Sequence, residues 1–164
     1  DAILSGDAET GVTIILLDNE VDHGPIVAQE HIDIADIPKA RVLEETLFRM
    51  GGKLVVRILP DFAKGKIALV PQDHSRATFT KKWKKEAGLV DIAGDPIATL
   101  RKIRACDGWP GAYFFVERNG KQIRVNIVDA HTEGGVLIVG RVMPEGKREM
   151  SYADFARGLR PPNA

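Results

Sequence analysis

Residues 11–17 form a continuous apolar run that constrains the fold of this chain more than any other stretch. The run, GVTIILL, is rich in β-branched residues and is followed by the polar stretch DNE at 18–20. Because strand side chains alternate between two faces, an uninterrupted apolar run predicts a strand buried on both faces. Strands of this kind belong to α/β sheets, so this run predicts an α/β fold.

A change of period farther along supports that architecture. Residues 26–34 predict a second extended segment, and from residue 40 the apolar positions step by three and four, which places them on one helix face. Pro60 and Gly65 predict the end of this helix, and the pair Gly51-Gly52 predicts close backbone packing inside it. The apolar positions are Leu43, Leu47, Met50, Leu54, Ile58 and Phe62.

The second half of the chain has a different pattern. Residues 71–91 are polar and basic, which predicts an exposed linker. A helix follows, with Asp95 as its N-cap, Pro96 in its first position and an apolar stripe of Ile97, Leu100 and Ile103 up to about residue 106.

Strand patterns dominate after residue 112. Residues 113–117 and 121–128 flank Arg118-Asn119-Gly120 and predict a hairpin, and residues 136–142 predict another strand. Ser151 and Asp154 predict the capping box of a short final helix that Gly158 ends.

Composition narrows the class of protein. At 164 residues the chain allows one domain or two small ones, and 44% apolar with 28% charged residues is typical of a globular protein. No apolar run approaches the roughly 18 residues of a membrane helix. The single cysteine, Cys106, excludes an internal disulfide framework and a cysteine-rich zinc site, which suits the cytoplasm. We interpret Cys106 as a small buried hydrophobe.

The net charge of zero hides an asymmetry. Residues 1–70 carry 12 acidic and 7 basic side chains, whereas residues 71–164 carry 11 acidic and 16 basic ones. A basic region attracts polyanions, so the second half is the candidate nucleic-acid surface.

Several chemistries are absent from the sequence. The four histidines have no metal-ligand spacing, so no metal is expected. The stretch GRVMPEGKR at 140–148 departs from a phosphate loop in glycine spacing and in its final residue. No G-x-S-x-G elbow and no G-x-G-x-x-G fingerprint occurs.

Blocks in chain order resemble one known family. Together they resemble the second half of the catalytic domain, the linker and the C-terminal domain of the methionyl-tRNA formyltransferases. The blocks are GDAETGVTI (6–14), LD (17–18) and VDHGPI (21–26), then PQ (71–72) and ATF (77–79), then IRA (103–105) and WPGAY (109–113), and finally GKREM (146–150) and FARG (155–158).

The resemblance implies transfer of a formyl group from 10-formyltetrahydrofolate, the co-substrate, to the amino group of methionyl initiator tRNA. Of that family's catalytic Asn, His and Asp, only the Asp has a counterpart here, Asp7. The other two and most of the folate pocket are expected in an N-terminal half of the catalytic domain that precedes this sequence. The chain is therefore expected to be an incomplete enzyme that is inactive alone.

The implied organisation has three parts. Residues 1–70 resemble the C-terminal half of a Rossmann-like formyltransferase domain, residues 71–85 a basic linker, and residues 86–164 a small domain with an OB-like β-barrel. The stretch between residues 129 and 146 is shorter than the family's by roughly a hairpin, so the barrel is expected to be reduced. Removal of upstream strands predicts that residues 1–70 are poorly stable alone and self-associate.

Asp7 fits a catalytic role on physical grounds as well. An amine that attacks a formyl carbon loses a proton, and a carboxylate beside an imidazole orients the ring and stabilises its charged form. A Gly-Asp turn before a strand also puts the carboxylate at a sheet end, where open α/β sheets bind ligands. The alternative is that Asp7 only caps a turn. Thr10 and Gly11 are expected to shape the loop, and His23, where the family more often has Thr, is interpreted as an exposed turn histidine.

The candidate RNA-binding residues are six bases. Four of them surround Trp83, and such a cluster neutralises phosphates while the ring stacks on a base or anchors the linker. The alternative is a solvated linker. Trp109, Tyr113 and Phe114 are interpreted as core. The six bases are Lys81, Lys82, Lys84, Lys85, Arg124 and Lys147.

Two other functions stay open from the sequence alone. A formyltransferase for a sugar-nucleotide amine shares the loop that contains the aspartate but does not need the lysine cluster. A stand-alone RNA-binding module with a vestigial catalytic segment needs only the basic half.

Overall fold

A computed structural model of the protein describes residues 1–35, 39–118 and 120–159. The chain divides into two compact units. We call one the sheet unit, which comprises Asp7–Lys81 with Ala2, and the other the C-terminal unit, which comprises the chain from Lys82 on with Asp1 and Ile3–Gly6. Asn119 of the predicted hairpin turn lies outside the described residues.

Two antiparallel strands and one long helix build the sheet unit. After a short helix, α1 (Ala2–Ser5), strand β1 (Glu9–Ile15) pairs with β2 (Ile26–Asp33) from Glu9 opposite Asp33 to Ile15 opposite Ile26. Helix α2 (Ala40–Ala63) packs on both strands. Val70 forms an antiparallel bridge to Ile26, so the chain leaves α2 and returns to the start of β2.

The prediction that the apolar run is buried on both faces is wrong. No residue of β1 is buried, and Leu17, just after the strand, is 81% exposed. Within the described part of the chain β1 pairs on one side only, with β2. Helix α2 therefore leaves the second face and the outer edge of the strand uncovered by this unit.

Helix α2 tests two further expectations, its end and the packing at its glycine pair. The helix ends at Ala63, between Pro60 and Gly65 as predicted, although Pro60 itself lies inside the last turn and Gly65 follows with a φ of 66°. A Cβ at Gly51 would contact Val12 Cγ1 at 3.8 Å, an ordinary packing distance, whereas one at Gly52 would meet nothing within 4 Å.

Local signals determine the helices of the C-terminal unit, as predicted. The Asp95 carboxylate accepts a hydrogen bond of 2.6 Å from the Ala98 amide at the start of α3 (Pro96–Ala105). The Ser151 hydroxyl accepts one of 3.1 Å from the Asp154 amide at the start of α4 (Tyr152–Arg157). Ile97 does not share the buried stripe of α3, since it is exposed beside the cap.

Four antiparallel strands lie between these two helices. Strands β3 (Tyr113–Arg118), β4 (Lys121–Glu133), β5 (Val136–Pro144) and β6 (Met150–Ser151) are neighbours in chain order. The predicted hairpin is confirmed, and β4 runs five residues beyond the expected end. Gly134 and Gly135, with φ of 57° and 78°, close the β4–β5 hairpin. Two such angles are the requirement of a two-residue I′ turn.

A single core holds the C-terminal unit together. Cys106 is fully buried in it, and burial raises the pKa of its thiol to about 11, so it behaves as the predicted hydrophobe. Trp83 is half-buried and packs against the same core. The buried members are Val90, Ile103, Cys106, Ala112, Phe114, Val125, Ile127, Val142 and Phe155.

The α/β class is confirmed, but a closed barrel is not. Among the described strands no pairing joins β3 to β6, so the four-stranded sheet is open where the predicted OB-like barrel would close. The described strands of the sheet unit are antiparallel, so the parallel arrangement typical of a Rossmann-like domain is not formed by β1 and β2.

Candidate functional site

Asp7 lies in the turn between α1 and β1. Gly6 precedes it with a φ of 76°, a conformation that favours glycine, and the Asp7 amide donates a hydrogen bond of 3.1 Å to the Ala2 carbonyl. The Asp7 side chain is exposed, and no side chain among the described residues hydrogen-bonds to its carboxylate. The turn therefore fixes the backbone and leaves the carboxylate available to a reacting group.

The sheet end next to Asp7 is acidic. Glu9 stands opposite Asp33 in the register, and the Ile34 amide donates to the Ala8 carbonyl at 3.1 Å. The His31 ring lies 3.7 Å from Glu9. This end of the sheet combines the start of β1 with the end of β2, as the antiparallel pairing requires.

Two glycines of the resembling segment are explained by close backbone approach. A Cβ at Gly11 would overlap the Glu30 carbonyl on β2, and one at Gly24 would overlap the Leu16 carbonyl. Gly11 lies within β1 and allows the close approach of β2, so it shapes the sheet and not the expected loop. Gly24 lets the loop after β1 close on itself.

His23 is a turn residue, but it is not a free one. Its Nδ1 lies 2.7 Å from Asp18 Oδ2, and this hydrogen bond raises the pKa of His23 and lowers the pKa of Asp18. The His23 ring also stacks on the His74 ring, with centroids 3.7 Å apart and planes 6° from parallel. No pattern in the sequence indicated this contact, because the two histidines are 51 positions apart.

The lysine cluster spans the boundary between the two units along the chain. Lys81 is the last residue of the sheet unit, and Lys82, Lys84 and Lys85 belong to the C-terminal unit. All four side chains are exposed, whereas Trp83 between them is half-buried. The ring is therefore directed to the protein core and the charges to solvent.

Arg124 and Lys147 lie near each other in the C-terminal unit but differ in their surroundings. The Arg124 guanidinium carbon lies 3.7 Å from the centroid of the Tyr113 ring, and its Nε donates to Asn126 Oδ1 at 3.2 Å. Lys147 is exposed in the β5–β6 turn, whose Glu145 amide donates to the Arg124 carbonyl. Arg124 is thus partly committed to a cation–π contact.

Two candidate bases escaped the sequence analysis. Arg118 and Lys121 stand directly opposite each other at the end of the β3–β4 hairpin. They line an open groove of about 400 Å³ with Gln122, Ile123 and Glu145. The predicted hairpin placed Arg118 in the loop, so it did not contain this pairing. In the structure β3 extends one residue farther and pairs Arg118 with Lys121.

Asp7 and the bases are not brought together in one unit. Asp7 and one of the six bases, Lys81, belong to the sheet unit. The other five bases belong to the C-terminal unit: Lys82, Lys84, Lys85, Arg124 and Lys147. Within the described ranges, no group of three or more His, Cys, Asp or Glu side chains could hold a metal ion. No helix of the described chain has the length and apolarity needed to cross a membrane.

Comparison with known proteins places this chain in a family. The family model described as "Formyl transferase" matches residues 1–59 of this chain. A methionyl-tRNA formyltransferase of Chloroflexus aurantiacus is 44% identical over 142 residues, which cover 87% of this chain and 45% of that protein. This chain belongs to the formyltransferase family.

A second relative adds a difference in length. A methionyl-tRNA formyltransferase of Chloroflexus aggregans is 38% identical over 185 residues, which cover 98% of this chain and 59% of that protein. The chain spans about half the length of these relatives. The alignment is longer than the 164 residues of the whole chain, so this relative has positions without a counterpart here.

Solved structures share the fold. HypX from Aquifex aeolicus has a TM-score of 0.69 at 22% identity and covers 97% of this chain and 33% of that one. Methionyl-tRNA formyltransferase from Clostridium thermocellum has a TM-score of 0.60 at 19% identity, and the match covers 92% of this chain and 60% of that one. WlaRD, a sugar 3N-formyl transferase, has a TM-score of 0.62 at 16% identity, covering 90% and 59%. These identities support a common fold and nothing finer.

Proposed function

We propose that this chain forms the part of a methionyl-tRNA formyltransferase that carries the catalytic aspartate and the tRNA-binding bases. The reaction transfers a formyl group from 10-formyltetrahydrofolate to the amino group of methionyl initiator tRNA in the cytoplasm. The observation that carries this proposal is the 44% identity to a protein of that name over 87% of the chain.

Asp7 is the proposed catalytic residue. As the methionyl amine attacks the formyl carbon, the amine loses a proton to an imidazole, and the bond from the formyl carbon to N10 of the folate breaks, which releases tetrahydrofolate. A carboxylate next to the imidazole stabilises the ring that takes the proton. The exposed carboxylate of Asp7, on a turn whose backbone is fixed by the Ala2 carbonyl, is free to receive such a ring.

The other parts of the active site come from residues that this chain does not match. The relatives are about twice as long as the matched segment, and the family's Asn, its His and most of its folate pocket are proposed to lie in the unmatched half. The 164-residue chain alone is therefore proposed to be inactive, and the unmatched half to pack on the uncovered side of the sheet unit.

Residues 71–85 are proposed to lead from the catalytic domain, residues 1–70, to a tRNA-binding domain, residues 86–164, related to a reduced OB-like barrel. Lys81, Lys82, Lys84 and Lys85 present exposed ammonium groups, and Lys147 adds another on the C-terminal unit. Exposed bases bind phosphates and position the complex without reading sequence. Arg124, held over Tyr113, is proposed to contribute less than the lysines.

The catalytic proposal is tested in a protein extended to the full length of the relatives. Asp7→Asn is expected to lower kcat roughly 10² to 10⁴-fold, the contribution of a positioned acid or base. Glu9→Gln, an exposed acid two residues away, is the matched control and should leave kcat nearly unchanged. Equal rates for Asp7→Asn and the unmodified enzyme would make Asp7 a turn residue only.

Binding of initiator tRNA to the same extended protein tests the lysine cluster. Replacing all four lysines by Ala is expected to weaken binding and to lower the slope of log K against log salt by roughly two to four, since each phosphate contact contributes about 0.7 to 0.9. Unchanged affinity together with formylation of a sugar-nucleotide amine would favour the sugar enzyme. Binding without any formyl transfer would favour an RNA-binding module.

A further inference from the structure

The stacked rings of His23 and His74 join two segments that are distant in sequence. One segment is the loop after β1, residues 16–25, and the other is the polar stretch 71–76, which precedes the lysine cluster. We propose that this stack is a proton-controlled latch, closed when the pair carries one positive charge, on the His23 ring, and loosened when it carries none or two.

The geometry of the rings fits stacking and not metal binding. The two imidazoles lie 3.7 Å apart and 6° from parallel. The lone pairs of ring nitrogens lie in the ring planes, so those of two parallel rings do not converge on one ion. The contact is therefore held by ring packing and by the charge that the pair carries.

A second contact clasps the same loop. The Gln72 side-chain amide donates to the Asp22 carbonyl at 2.8 Å and to the Gly24 carbonyl at 2.7 Å. Val70 is bridged to Ile26 by two backbone hydrogen bonds just before this segment begins. The backbone bridge at Val70 and the Gln72 amide thus bring His74 to His23. The stack is the last of these three contacts along the chain.

The acidic groups around the stack favour a proton on His23. His23 faces Asp18, which accepts its hydrogen bond, and Glu20, and it stacks on His74 from the short 3₁₀ turn His74–Arg76. Asp73 is engaged in its own turn, where its carboxylate accepts from the Ser75 amide and hydroxyl. A proton on His23, beside Asp18, is therefore favoured.

The sign of the pH dependence follows from these partners. The pKa of His23 is raised above 6.5, so the stabilisation from its pair with Asp18 is complete below pH 6.5 and is lost as the pH rises through the raised value. The pKa of Asp18 is lowered below 3.8, so the carboxylate keeps its charge until the pH falls through that lowered value. A second proton puts two positive rings 3.7 Å apart, which loosens the stack on the acid side.

Hydrogen exchange of residues 71–78 in the 164-residue chain tests the latch, read by mass spectrometry from roughly pH 4 to 9 to span histidine titration. After correction for intrinsic exchange rates, protection is expected to be highest at an intermediate pH. It should fall about two- to fivefold on each side, the range for exposed charge pairs. This readout needs neither tRNA nor folate, so it is independent of the proposed enzyme activity.

Variants separate the two limbs of the curve. His74→Phe keeps a flat ring without a proton and is expected to abolish the loss of protection in acid, and His23→Phe provides the same test from the other ring. Asp18→Asn is expected to lower the maximum and shift it to lower pH. His31→Ala, which removes an exposed histidine that faces Glu9, is the control and should leave the curve unchanged. A flat or monotonic curve, or an acid loss that persists in both Phe variants, overturns the proposal.

Discussion

The two units of this protein differ in how much of their apolar surface they cover themselves. The C-terminal unit buries nine residues in one cluster between its helices and its four-stranded sheet. Among the residues of the sheet unit that the structure describes, the buried apolar side chains are Ile34, Leu43 and Leu54, while Phe48 and Val56 on α2 are each 75% exposed. A helix that is apolar on more than one face is typical of a larger domain's interior, so the sheet unit needs a covering layer that it does not supply.

Expressing the two segments separately is the strongest test of this difference between the units. Residues 82–159 are expected to unfold cooperatively as a monomer, because their core is closed by their own elements. Residues 1–81 are expected to self-associate through the open edge of β1 and the exposed side of α2. Sedimentation and thermal unfolding measure both, and a monodisperse, cooperatively unfolding sheet segment would contradict the comparison.

Removing one phenylalanine from each unit tests the same difference through the free energy of unfolding. Phe114→Ala takes a ring out of the buried cluster and should lower the free energy of unfolding by about 3 to 5 kcal/mol. Phe48→Ala is the matched control, expected to change stability little, because exposed substitutions rarely matter. Both tryptophans lie in the C-terminal unit, so urea titration followed by tryptophan fluorescence reports on Phe114→Ala. Circular dichroism follows Phe48→Ala, and equal losses for the two variants would refute the distinction.

Trp83 should show an intermediate effect. Since it packs against the core between exposed lysines, Trp83→Ala is expected to cost about 1 to 3 kcal/mol of unfolding free energy, within the usual range for single substitutions. Its effect on tRNA binding should be small at a temperature where the variant is folded. Weaker binding with unchanged stability would instead identify the ring as a stacking surface.

The smallest expected effect concerns a helix cap. Ser151→Ala removes the hydroxyl that accepts from the Asp154 amide, and helix caps contribute about 1 kcal/mol. Loss of the same hydroxyl also removes the hydrogen bond that most strongly lowers the pKa of Asp154. The Ser151→Thr variant keeps both roles and serves as the control in urea unfolding, where it should match the unmodified chain.

Features set by neighbouring residues could be predicted from the sequence. The Asp95 cap, the Ser151 box and the β3–β4 hairpin depend on residues within a few positions of each other, and each lies where it was expected. The period of three and four located α2 for the same reason. Resemblance, and not periodicity, was needed to select Asp7 among the acidic residues.

Features set by distant packing could not be predicted. The apolar run of β1 shows what the strand can bury, but not which elements are present to cover it. The contact of His23 with His74 depends on the return of the chain to Ile26 after α2, and the Arg124 contact with Tyr113 depends on which face of the hairpin each occupies. Residue spacing carries no information on such contacts between side chains, since they form only when distant segments of the chain have folded together.

The Gly134-Gly135 turn has a practical consequence for engineering. Glu133 and Val136 pair directly beside it, so the pairing of β4 with β5 does not depend on the residues between them. Each doubling of loop length costs only about 0.6 kcal/mol in closure entropy, so an epitope or a fluorophore site grafted between the two glycines should leave the domain intact.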